Sequence, residues 1–143
     1  MTAGFIAPSH WNETPSQLRK SGQVTLNASG NGALTFETDS SNQRWVITQI
    51  VINTNQPATA VAVPQCTLAL NTTDITQLSQ GNTRGTSWSG NNDTFSASID
   101  VGPMDFVSLL FFAPPGSTVA QVAALSGVIA GATIQGVKYT RRA

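Results

Sequence analysis

Alternation of polar and apolar residues recurs along this chain from Gly22 onward, and no other feature limits its fold so tightly. A period of two turns every second side chain to one face of an extended strand, so a chain of such runs buries one face of each sheet and wets the other. Q-V-T-L-N-A (Gln23 to Ala28) and A-L-T-F-E-T (Ala33 to Thr38) alternate on either side of G-N-G (Gly30 to Gly32), whose residues tolerate positive φ. That pattern predicts a β-hairpin. R-W-V-I-T-Q-I-V-I-N-T-N (Arg44 to Asn55) is a long strand rich in β-branched residues. Its phase changes between Trp45, Ile47 and Ile50, Ile52, which places a bulge near Thr48.

The same reading continues to the C-terminus. Val61 to Leu70 is a strand in which Pro64 implies an edge position or a bulge. Thr94 to Val101 alternates, with Phe95, Ala97, Ile99 and Val101 on one side. Gly102-Pro103 then turns the chain into a buried strand, Met104 to Ala113, and P-P-G-S (Pro114 to Ser117) is the next turn. A-T-I-Q-G-V-K-Y (Ala132 to Tyr139) alternates as a last strand. About eight strands with turn signals at roughly 8- to 12-residue spacing make the chain all-β, a jelly-roll-like β-sandwich of antiparallel strands.

Four stretches break the pattern. Asp74 to Ser79 reads as a short strand or a helical turn. Gln80 to Asn92, with Gly81, Gly85 and Gly90 among small polar residues, reads as a loop with Trp88 packed beneath it or at an interface. Val119 to Ile129 is Ala-rich with Val119, Val122 and Leu125 at helical spacing, and reads as a short helix or loop insertion rather than a bulged strand. Residues 1–20 hold two prolines, Phe5, Trp11 and the lone His10, with no sustained period. Ordering such a stretch costs about 1–2 kcal/mol per residue in backbone entropy, and it has no pattern of its own to repay that. Phe5, Ile6 and Trp11 are too apolar for a solvated tail. Residues 1–20 are therefore expected to be an extended N-terminal arm docked on a neighbouring subunit, and residues 21–143 the β-sandwich domain.

Composition narrows the partners. At 143 residues the chain suits one domain with a real core. Seven basic residues balance seven acidic ones, and charged residues are 10% of the total, against about 25% in ordinary soluble domains. Solubility must rest on Ser, Thr, Asn and Gln. A nucleic-acid binder clusters Lys and Arg against phosphates, whereas here Arg19 and Lys20 stand near one end and Lys138, Arg141 and Arg142 near the other. Nucleic acid is not an expected partner. Leu109 to Ala113 is too short to span a bilayer, and Val119 to Ala132 is broken by Gly127 and Gly131. M-T-A-G-F-I-A-P-S-H-W has neither the basic nor the apolar region of a signal peptide, so no membrane involvement is expected. On that footing the N-x-S/T sequences at Asn12, Asn27, Asn71 and Asn92 are by-products of composition rather than glycosylation sites.

Groups that perform catalysis are scarce. His10 is the only imidazole and lies in the arm; Cys66 is the only thiol and lies in the apolar run V-P-Q-C-T-L-A-L, where a small core residue is expected. Together they cannot ligate zinc. The carboxylates Glu37, Asp39, Asp74, Asp93, Asp100 and Asp105 are scattered over turns and strand ends, and Asp100 and Asp105 flank a tight turn, where Asp accepts hydrogen bonds from backbone N–H. G-N-N-D-T supplies one acid where a calcium loop needs several, so Asn91, Asn92 and Asp93 read as turn residues. Neither phosphate-binding glycine motif occurs. The expectation is a non-enzyme with no catalytic, cofactor-binding or metal residues, no cofactor, and Phe5, Ile6, Trp11 and Trp88 as partner-binding residues.

Several stretches resemble small β-rich structural proteins of tailed bacteriophages, particularly those of actinobacteria: S-G-Q-V-T-L-N-A-S-G-N-G-A-L-T-F (Ser21 to Phe36), N-Q-R-W-V-I-T-Q-I-V-I-N-T-N (Asn42 to Asn55), S-G-N-N-D-T-F (Ser89 to Phe95), I-D-V-G-P-M-D (Ile99 to Asp105) and P-P-G-S-T (Pro114 to Thr118). The resemblance implies a sandwich-fold virion component at the capsid surface, neck or tail, with no catalytic residues to carry over. Val119 to Ile129 departs from it as an insertion before the last strand. Together these readings imply a capsid-decoration or minor capsid protein, assembled in the host cytoplasm into the virion. Its partners would be the major capsid protein or other virion proteins, and it would form a homo-oligomer, with a trimer preferred. A neck- or tail-associated protein is one alternative. A carbohydrate-binding host-attachment module using Trp88, Trp45 and Tyr139 is another.

Overall fold

The computed structural model describes residues 13–38, 41–56, 62–74, 83–89 and 93–141, with 83–89 described by backbone. Among them stand eight strands: β1 (Glu13–Thr25), β2 (Gly32–Glu37), β3 (Gln43–Thr54), β4 (Gln65–Leu70), β5 (Thr83–Ser89), β6 (Asp93–Val101), β7 (Phe106–Phe112) and β8 (Ile129–Arg141). One helix, α1 (Val119–Leu125), lies between β7 and β8. The strands form two four-stranded antiparallel sheets, ordered β1-β8-β3-β6 and β2-β7-β4-β5. Because β1 pairs with β8, β2 with β7, β3 with β6 and β4 with β5, the chain is one antiparallel ribbon folded across its middle. This is the jelly-roll arrangement, and the all-β sandwich expected from the alternation is the fold observed.

The inner faces are the ones the alternation marks. Trp45, Ile47, Ile50, Ile52 and Ile134 of one sheet meet Phe36, Leu68, Val107, Leu109 and Phe111 of the other. Each such residue contributes about 1.5–3 kcal/mol by leaving water. β3 changes phase at Thr48, where its register against both neighbours shifts between Ile47 and Gln49. The extra residue is what lets Trp45, Ile47, Ile50 and Ile52 all face inward. Opposite Ile47 stands Gly136, where a Cβ would fall on the carbonyl oxygen of Val46, so the bulge requires glycine on β8. On β6, Ile99 and Val101 are buried and Phe95 and Ala97 half-buried, while Thr94, Ser96, Ser98 and Asp100 are exposed, as their alternation predicts.

The expected hairpin does not form. β1 and β2 flank a turn, but they lie in different sheets. The turn itself is built as its residues suggest: Asn27 Oδ1 accepts from the backbone N–H groups of Ser29 (2.9 Å) and Asn31 (3.1 Å), and Gly30 has φ 77°. Leu26 remains on the β8 side, its N–H donating to the Val128 carbonyl at 2.8 Å. β8 offers β1 a partner along all 13 of its residues, whereas β2 is six residues long, so more backbone groups are satisfied across the chain than around the turn. Alternation names the buried face of a strand, not its neighbour.

Four further expectations shift. β1 begins at Glu13, so residues 13–20 belong to the sheet and not to an arm; only 1–12 of that expected segment lie outside the described residues. Thr83–Ser89 is the edge strand β5 where a loop was expected; pairing with β4 makes a strand of a sequence without alternation. β4 is interior, and Pro64 avoids the ladder by standing just before it rather than by placing the strand at an edge. β7 begins at Phe106, leaving Met104 in the preceding turn at φ 74°, 82% exposed.

The ambiguous segment before β8 is helical. Thr118 and Gln121 form a capping box, Gln121 N–H donating to Thr118 Oγ1 (3.1 Å) and Thr118 N–H to Gln121 Oε1 (2.8 Å). Leu125 is the helix's buried residue and packs against Gly30, where an added Cβ would stand 3.1 Å from the Leu125 Cβ. The helix thereby closes one end of the sandwich.

Candidate interaction surface

The fold separates the residues expected to bind partners. Phe5, Ile6 and Trp11 lie outside the described residues, as does His10. Their segment joins the sandwich at Glu13, the first residue of the edge strand β1, in register with Arg141 of β8. Trp88 lies in β5, an edge strand of the other sheet, its Cα in register with that of Cys66; its side chain is outside the described part. β1 adjoins β2 and β5 adjoins β6, so the start of β1 and the strand of Trp88 stand on opposite flanks of the sandwich.

Two of the groups that could do chemistry, Cys66 and Asp105, are taken up by structure. Cys66 is fully buried and free of any disulfide, and burial pushes its thiol well above the ordinary range, which leaves no thiolate at neutral pH. Asp105 accepts from the N–H of Gly102 through Oδ2 (3.2 Å) and from Asn71 Nδ2 through Oδ1 (2.9 Å). Asn71, at φ 62°, in turn accepts from the N–H of Phe106 at 2.9 Å. The acceptor role expected of an Asp beside this turn is the role Asp105 has. Among the described residues no group of three or more His, Cys, Asp and Glu side chains gathers to hold a metal, and no helix is long and apolar enough to cross a membrane.

Of the three aromatic residues in the carbohydrate reading, two have described side chains, and neither Trp45 nor Tyr139 is fully open. Trp45 is 0% exposed, and its Nε1 has no hydrogen-bond partner among the described residues. One face of the Tyr139 ring is occupied by the Arg44 guanidinium, 4.2 Å from the ring centroid.

What sequence reasoning missed is the outer face of the β1-β8-β3-β6 sheet. Cross-strand register places Gln17, Val137, Val46 and Asp100 in one row, Arg19, Gln135, Gln49 and Ser96 in the next, and Ser21, Thr133, Val51 and Thr94 in the third. Within the third row the hydroxyls of Ser21 and Thr133 are hydrogen-bonded at 2.8 Å. The face is mixed: valines at its centre, amides and hydroxyls around them, Arg19 on β1 and Asp100 on β6, and Arg44 beside Tyr139 in the row before Gln17. Alternation identified each of these residues as outward, but only the strand order brings them together.

No family model matches the chain, and no curated protein matches it. Among solved structures it is similar to a chain from the Bacillus endospore appendages, described as disulfide-linked pili, at 14% identity and TM-score 0.43, with 91% of each chain covered. It is similar to the Drosophila NLP core, described for pentamer formation and histone binding, at 18% identity and TM-score 0.35, over 82% of this chain and 96% of that one. A third likeness is to infectious bursal disease virus VP2 in a subviral particle, at 10% identity and TM-score 0.35, over 90% of this chain and 41% of the viral one. At these TM-scores the likenesses assign neither family nor function.

Proposed function

We propose that this protein is a non-enzymatic structural component of a tailed-phage virion that decorates or cements the capsid surface through contacts between subunits. Its partners are the major capsid protein or other virion proteins, and it works as a homo-oligomer. The observation that supports this reading best is the place of β1: the segment bearing Phe5, Ile6 and Trp11 enters the sandwich at an edge strand and at one end of the molecule. A segment attached there can reach a neighbour without disturbing the core. Each apolar side chain buried in that neighbour adds roughly 25 cal/mol per Å², and repetition over a lattice multiplies weak contacts. The burial of Cys66 and the hydrogen bonds that hold Asp105 favour binding over turnover.

The test is co-sedimentation with purified actinobacteriophage heads stripped of their own surface proteins. Removing residues 1–12 leaves β1 whole, so the shortened chain should fold yet lose particle binding by tenfold or more, as expected for loss of about 1.4 kcal/mol or more. Undiminished binding by the shortened chain would reject the reading. Immunogold labelling of intact virions separates a head position from the neck or tail.

A further inference from the structure

We infer that the hollow beside Met104 receives the segment bearing Phe5 and Ile6 from a second copy of this chain. The inference rests on the proposal that this segment docks on a neighbour, and it names that neighbour. Met104 is the observation that carries it. In Gly102-Pro103-Met104-Asp105 the Asp105 N–H donates to the Gly102 carbonyl at 3.1 Å, and Met104 stands third in the turn at φ 74°. That position suits glycine or asparagine, and a long side chain there is strained. The turn is braced all the same: Asp105 accepts from the Gly102 N–H (3.2 Å) and from Asn71 Nδ2 (2.9 Å). At 82% exposure the Met104 side chain returns little to its own fold. A strained residue held this firmly with its side chain in solvent is held for a contact outside the chain.

Met104 is one wall of a hollow of about 290 Å³, lined also by Glu37, Thr38, Ser41, Asp105 and Phe106. A space at the small end of the range for ligand pockets takes one or two side chains. Met104 and the half-buried Phe106 are its apolar part, and a methionine thioether makes favourable contacts with aromatic rings. Residues 1–12 offer Phe5 with Ile6 beside it, and they contain no Asp or Glu for Glu37 and Asp105 to repel. Position favours a second copy over the same one. β1 stays paired with β8 out to Glu13 and Arg141, three residues past the row of Ser16, Lys138, Trp45 and Val101 from which the Gly102 turn departs. It thus carries the chain about 10 Å beyond that row. From Glu13 the eight residues back to Phe5 span up to about 27 Å, enough to reach the same end of another copy. To enter its own hollow the segment would have to turn back along β1.

Light scattering after size exclusion over a dilution series, on the full chain without phage heads, tests this. The native chain should have the mass of more than one copy. Removal of residues 1–12 and Met104→Gly should each raise the dissociation constant between copies about tenfold or more, since each takes away one side of an anchored contact. Glycine suits φ 74°, so M104G should melt no lower than the native chain while it loses association, which a merely structural role would not produce. Combined, the two changes should weaken association no further than the larger of them alone, because they remove two halves of one contact. A monomeric native chain would overturn the inference, as would unchanged association of either variant or effects that add in the combined one. If head binding needs residues 1–12 while any of those results holds, this inference fails and the particle-binding reading stands. A shortened chain that no longer self-associates yet binds heads undiminished supports the inference and rejects the particle-binding reading alone.

Discussion

Asn71 occupies left-handed backbone at φ 62° and links two turns through a side chain whose both ends are used. Asn is among the few residues that tolerate this conformation, and here it also carries the hydrogen bonds. Asn71→Asp keeps an acceptor for Phe106 but sets a carboxylate against Asp105, and should cost about 1–3 kcal/mol in a denaturant melt. The exchange N71D/D105N returns one donor and one acceptor to the pair and should recover most of that loss. Gly136 is a second fixed position. Gly136→Ala drives a methyl into the Val46 carbonyl and should lower stability by about 3 kcal/mol, or prevent folding, measured by thermal unfolding.

Cys66 gives a pH prediction. Burial makes its thiol keep its proton in the folded chain to a pH well above the ordinary thiol range. The unfolded chain releases that proton near the ordinary thiol value, so above about pH 9 the folded state binds more protons than the unfolded one and stability falls as pH rises. At neutral pH an aromatic disulfide reagent should leave the native thiol unmodified and titrate one thiol per chain in denaturant. Rapid labelling of the folded protein would contradict its burial.

At the scale of elements, α1 stabilises through one residue. Leu125→Ala should cost about 2–5 kcal/mol and Thr118→Ala about 1 kcal/mol, whereas Val119→Ala, at a position 87% exposed, should change stability by less than about 0.5 kcal/mol. Equal effects at Leu125 and Val119 would mean that the helix does not close the sandwich. The helix, the Thr48 bulge and the buried side of every alternating strand were legible in the sequence because each is set by residues within a few positions of one another. The partner of β1 was not, because the choice between β2 and β8 depends on a strand more than 100 residues away. β5 was illegible for a related reason: T-R-G-T-S-W-S has no period, and its extended form comes from the β4 edge it pairs with. The outer-face rows were hidden likewise, although Arg19, Val46, Asp100 and Val137 were each assignable to a strand.

At the scale of the molecule, the jelly roll leaves β1, β6, β2 and β5 as edges and keeps its charges few. β1 carries Pro15, Arg19 and Lys20, residues that discourage indiscriminate strand pairing at an exposed edge. On the proposed role, specific assembly would fall to the apolar residues ahead of Glu13. Of the four residues the sequence offered as partner contacts, Trp88 is placed on an edge strand and Phe5, Ile6 and Trp11 precede the described sandwich. The account as a whole is tested most directly by a high-resolution density map of the assembled phage particle. It predicts this sandwich on the capsid surface, with Phe5, Ile6 and Trp11 buried in an adjoining subunit. A map in which those three side chains pack on their own sandwich, or in which the particle contains no copy of this chain, would contradict it.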